Sequence, residues 1–180
     1  MIKPLPAAFA YLTHEPGPKI LLAALEFHGL QEVPGPRNSA EIIRFASAVG
    51  ANSYYQSDAT PWCALFMAYC AKVAGFKLPP DPLAALSWAQ FGHPAPGGVA
   101  LLGDVLVKAR VGGGHVGLYV GENATHYAVL GGNQGNRVGI AWFPKSVFRH
   151  VRRCSWKVAQ PANVGVRHVG TGARRAVTEA

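Results

Sequence analysis

The chain has 180 residues, 49% of them apolar, and carries 17 Lys/Arg against 9 Asp/Glu for a formal net charge of +8. That length suits one domain with little more than a tail to spare. No apolar run approaches a membrane span, the carboxylates are scattered singly, and no C-x-x-C or H-x-x-x-H pair occurs, which argues against a spanning segment, a calcium site and a zinc site. No metal or other cofactor is therefore expected. AAFAYL near the N-terminus and ILLAAL at 20–25 are too short and too quickly interrupted by polar residues to read as a signal peptide. Synthesis in the cytoplasm is the expectation.

The charge is uneven. Residues 1–144 hold nine basic and eight acidic side chains, whereas 145–180 hold eight basic residues against Glu179 alone. A basic C-terminal stretch attracts polyanions such as nucleic acid, anionic lipid or wall polymer, or simply solubilises the chain.

In chain order, LLAALEFHGL predicts a helix over about 21–30, closed near Gly29, and EVPGPRN a turn. Ser39 then caps a second helix through Val49, with Ile42, Ile43, Phe45, Ala46 and Val49 as its apolar stripe. ANSYYQSD reads as a polar loop. It leads into TPWCALFMAYC, a helix that stops at Gly75. PPDPLAALSWAQFG predicts a short helix between prolines and Gly92. After Gly103 the pattern changes: DVLVKA, HVGLYVG, ATHYAVLGGN and RVGIAWF are short β-branched or aromatic runs separated by Gly and Asn, as in an antiparallel meander. Helices first and strands afterwards make an α+β layout. A domain over 1–160 is predicted, followed by a basic, flexible tail over 161–180.

Within TPWCALFMAYC, Thr60 is a good N-cap and Pro61 suits the first helical position, which makes Cys63 the third helical residue. Unpaired N–H groups and the positive end of the helix dipole meet there and favour a thiolate. Cys70 lies seven residues on, about 10 Å along the helix axis, too far for a disulfide with Cys63. The second chemical candidate is His115, preceded by three glycines in VGGGHVGLYVG. In the strand that follows, Val116, Leu118 and Val120 share one face, and His115, Gly117 and Tyr119 the other. If that strand pairs with 125–133 as a hairpin, an even register sum such as 248 sets Asn133 on the face of His115, and an odd one sets Gln134 there. Either amide oxygen would accept an imidazole N–H and fix the ring's tautomer.

D-x-x-P-W-C at 58–63, G-D-V at 103–105, G-H-V-G at 114–117 and G-G-N-Q at 131–134 occur in one order along the chain. This set resembles the papain-like, cell-wall-degrading cysteine peptidases of the CHAP and NlpC type, nearest a branch found in phage lysins. The resemblance implies a papain-like fold, with helices on an antiparallel sheet of about four to six strands. It also implies Cys63 as nucleophile, His115 as general base and Asn133 as the residue that orients the histidine. Tyr54, Tyr55, Asp58, Trp62 and Gln134 are secondary candidates for substrate contact or the oxyanion.

The implied activity is hydrolysis of an amide bond in the peptidoglycan stem, by an N-acetylmuramoyl-L-alanine amidase or an endopeptidase acting through a thioester. The expected partner is bacterial peptidoglycan, reached after phage-type release or secretion-system delivery, with anionic wall or outer-membrane polymers held by the basic tail. An injected toxin would also need an immunity protein. A monomer without specific nucleic-acid binding is expected. The rival readings are a papain-like acyltransferase or deamidase with another substrate, and a non-catalytic polyanion-binding module.

Overall fold

The computed structural model describes residues 4–110, 112–156 and 159–170. Three α-helices come first: α1 (Lys19–Leu25), α2 (Ala40–Val49) and α3 (Cys63–Val73). Six strands follow: β1 (His93–Pro94), β2 (Val105–Arg110), β3 (Gly113–Glu122), β4 (His126–Gly131), β5 (Gly139–Pro144) and β6 (Phe148–Arg153). They form one antiparallel sheet in the order β1-β6-β2-β3-β4-β5. The α+β layout expected from the order of patterns is the layout observed. Among the described residues, no helix is long and apolar enough to cross a membrane.

Alternation along β3 sets the two faces. Val116, Leu118 and Val120 are buried in the main core with Leu65, Phe66 and Ala68 of α3. Tyr119 points the other way, into a smaller cluster with Leu106, Val129 and Phe143. His115 belongs to that second face, its ring 5.7 Å from that of Phe143. α3 is buried on nearly every side, which suits its almost unbroken apolar sequence.

Several boundaries differ from the sequence reading. α1 ends at Leu25, because residues 29–32 leave the helix to pair with 136–138: Gly29 N–H donates to Val138 O at 2.8 Å and Glu32 N–H to Asn136 O at 3.0 Å. The helix expected between the prolines and Gly92 is a 3-10 turn, Ala85–Gln90. β6 was not expected at all. Its sequence, FRHVRR, is strongly basic, and it neighbours only the two-residue β1 on its outer side, so most of it is a sheet edge where charge is tolerated.

The segment from 161 is not a free tail as far as residue 170. Val164 and Val169 are buried, Val169 N–H donates to Glu122 O at 2.8 Å, and Arg167 pairs with Glu15 at 2.7 Å. Residues 171–180, the rest of the expected tail, lie outside the described residues. Much of the C-terminal charge is also engaged internally. Lys145 pairs with Glu122, Arg153 with Asp104 and Arg167 with Glu15, while Arg152 donates to the carbonyls of Phe91 and Gly92.

The Asp104–Arg153 pair locks β2 to β6. Arg153 Nε and Nη2 reach Asp104 Oδ1 and Oδ2 at 3.0 and 2.7 Å, Leu101 N–H donates to Oδ2 at 2.9 Å, and Nη2 also reaches Val99 O at 2.9 Å. Burial pushes the Asp104 carboxyl up, while the Arg153 guanidinium and the Leu101 N–H pull it back. Removing one partner leaves the other charged and buried. Asp104→Ala is therefore expected to cost about 3–5 kcal/mol in urea unfolding; a loss below about 1 kcal/mol would contradict this role for the pair.

Candidate active site

The helix that carries Cys63 begins later than its sequence suggests. Cys63 is the first helical residue and Trp62 occupies the N-cap, so Thr60 and Pro61 precede the helix and no side chain caps it. Cys63 still stands at the positive end of α3, where first-turn N–H groups point outward. The other two thiols are placed for packing. Burial pushes Cys70 well above its ordinary value and Cys154 up to about 11. Neither is positioned to act as a nucleophile at neutral pH.

Residues just upstream brace this helix start. Tyr55 is buried, and its hydroxyl donates to Pro61 O at 2.8 Å. Burial first, then the charge of the neighbouring Cys63 sulfur, pushes the Tyr55 phenol well above its ordinary value. Trp62 is fully buried, edge-on to Phe66, and its indole N–H donates to Glu32 at 2.7 Å. It is core, not a substrate contact. Asp58 is buried too, and its Oδ2 accepts N–H bonds from Val33 at 2.9 Å and Ser39 at 2.7 Å. That carboxylate pins the turn at 33–39 beside the helix entry. Of the secondary candidates on this side, only Tyr54 is open to solvent (65% exposed), standing T-shaped on Tyr55.

The histidine's partner is Gln134. At the His115 end the β3–β4 register is even, Leu118 opposite Leu130 and Tyr119 opposite Val129, and turns odd only beyond an irregularity between Tyr119 and Gly121; the even register continued would set Asn133 opposite His115. The ladder stops first: β4 ends at Gly131, and Asn133 turns into the left-handed region at φ 55°. The turn brings Gln134 back under the sheet end, where its Oε1 lies 3.0 Å from His115 Nε2. His115 and Gln134 are each only 2% exposed. Asn133 is also buried, but its Oδ1 has no hydrogen-bond partner among the described residues. The expected orienting role thus passes from Asn133 to its neighbour.

Gln134 also decides the tautomer. Its amide nitrogen donates to Val129 O at 3.0 Å and to Gly139 O at 2.6 Å, so both N–H groups are committed to β4 and β5. Oε1 can then only accept, and the neutral His115 ring must carry its proton on Nε2. Its basic nitrogen is Nδ1.

One short loop connects the two candidates. A Cβ on Gly132 would lie 2.7 Å from Phe66 Cβ and from the Trp62 ring, so residue 132 is pressed on the first turn of α3. Two residues later, Gln134 holds His115. Residues 132–134 therefore cross the sheet end, with the Cys63 helix start on one side and His115 on the other. Two groups at this site carry no sequence motif. Glu32 is visible only through its bond to Trp62. Leu86, 47% exposed, lies over Gly114, where a Cβ would meet its Cδ2 at 2.7 Å. Among the described residues no three His, Cys, Asp or Glu side chains cluster as metal ligands would.

No family model matches the chain, and no curated protein or solved structure matches it.

Gln134→Ala would leave two buried carbonyls and an imidazole N–H without their partner, and it is expected to lower stability by about 2–4 kcal/mol. Asn133→Gly keeps the backbone turn without an unsatisfied amide and should cost less than about 1 kcal/mol. Urea unfolding of both variants checks this; the reverse order would return the orienting role to Asn133.

Proposed function

We propose that the chain is a cysteine hydrolase that cleaves an amide bond of the peptidoglycan stem. The observation that carries the reading is the Gln134 clamp. A histidine held with Nε2–H on an amide oxygen and Nδ1 as its basic nitrogen has the polarity a general base beside a thiol requires. The uncapped helix start at Cys63, reached from the same loop, supports the assignment of the nucleophile. The ordered motifs that resemble CHAP and NlpC peptidases supply the substrate class.

The proposed cycle requires the two groups, on opposite faces of the sheet, to meet round its end beside residues 132–134, where His115 Nδ1 takes the Cys63 thiol proton as the sulfur attacks the amide carbonyl. The tetrahedral oxyanion is held by the backbone N–H of Cys63 at the helix start. Nδ1 then passes the proton to the leaving amine, which departs as the C–N bond breaks and a thioester remains. Water, deprotonated by Nδ1, adds to the thioester; the carboxylic product leaves and the thiol is restored. Throughout, Gln134 Oε1 accepts from Nε2–H and favours the imidazolium that forms twice per turnover. Tyr54, just upstream of the cysteine helix, and Leu86, over Gly114 next to His115 in the chain, are exposed apolar side chains available to grip a stem peptide. Bacterial peptidoglycan is the proposed partner.

Purified peptidoglycan incubated with the protein should yield new free amines and shortened stems by mass spectrometry. Cys63→Ala should reduce the yield at least about a thousandfold. Equal cleavage by both forms would refute Cys63 as nucleophile. No cleavage of any wall type would favour a papain-like acyltransferase or deamidase, or a binding module.

A further inference from the structure

A cavity of about 1020 Å³ lies away from Cys63. It opens at the other end of α3, whose eleven residues span about 16 Å. Phe76, Leu78, Phe91 and Trp156 supply apolar wall, and Lys19 and Lys77 also line it. Both lysines are exposed, and neither makes an ion pair or side-chain hydrogen bond among the described residues. Among the described residues no Asp or Glu lines the cavity.

The floor is built rather than loosely packed. Gly92 presses on the backbone at 153, where a Cβ would lie 2.0 Å from Arg153 O. The Arg152 guanidinium ties down the carbonyls of Phe91 and Gly92 at 2.8 and 3.2 Å. An apolar concavity of this size with two cations on its lining is complementary to a molecule with an apolar body and an anionic head.

We infer that this cavity binds a single-chain amphiphilic carboxylate, its alkyl body against Phe76, Leu78, Phe91 and Trp156 and its head between Lys19 and Lys77. The site is separate from Cys63, and the inference does not depend on the hydrolase reading. A cationic amphiphile of the same length should be excluded, because both lysine charges would repel it.

Titration calorimetry of the full chain with decanoate, and in parallel with decylamine, tests this. Decanoate should bind saturably at one site per chain and decylamine should not. Lys19→Gln/Lys77→Gln should weaken decanoate binding about tenfold, since two exposed charge contacts are lost. Both positions are on the surface, so an unchanged circular dichroism spectrum is expected for the double variant. Absence of saturable decanoate binding would overturn the proposal. So would equal binding of decylamine, or decanoate affinity indifferent to the two lysines.

Discussion

The candidate site depends on one side chain, the Gln134 amide. Its nitrogen is held by two strand carbonyls, Val129 O and Gly139 O, so its oxygen has one orientation to offer. His115 meets that oxygen with Nε2, and the ring's proton follows. A free amide could flip and present its nitrogen to the ring instead. Buried here with every polar atom engaged, it cannot do so without leaving carbonyls unpaired. The polarity of the imidazole is thus inherited from the ends of β4 and β5.

A second constraint keeps the cysteine side in register with this clamp. Residues 29–33 run between the two halves. Backbone bonds join Gly29, Leu30 and Glu32 to residues 136–138, just beyond Gln134, while Glu32 accepts from Trp62 and Val33 N–H reaches Asp58. The segments that carry Cys63 and Gln134 are therefore tied through one strap as well as through Gly132. This explains why Asp58 and Trp62, although close to Cys63 in sequence, are buried structural groups. They position the helix start, and Tyr54 is left as the exposed aromatic beside it.

Periodicity made much of this legible. The α+β order, α2, the central strands and the two faces of β3 follow from apolar spacing, and of the two registers left open the even one is observed at the His115 end. Reading onward from register to partner failed, because a ladder can be extrapolated only while the backbone remains extended. Asn133, Gly135 and Asn136 all turn to positive φ directly after β4, and that turn exchanges Asn133 for Gln134. Similarly, Thr60-Pro61 resembles a helix start, but the chain stays non-helical through Trp62, whose ring is drawn into the core against Phe66 and Gly132. β6 was hidden by its basic residues, which only its place near the sheet edge and the buried partner Asp104 make tolerable. Tertiary contacts decided each of these cases, and local sequence does not encode them.

The most direct test of the central claim is the protonation site of the neutral His115 ring. Long-range proton–nitrogen correlation NMR on the ¹⁵N-labelled protein at mildly alkaline pH reads it, with His115 assigned by its loss in His115→Gln. The structure predicts the Nε2–H form in the wild-type chain, with that preference weakened in Gln134→Ala. An Nδ1–H form in the wild type would contradict the account, because the ring would then have no basic nitrogen for the Cys63 thiol in the proposed cycle.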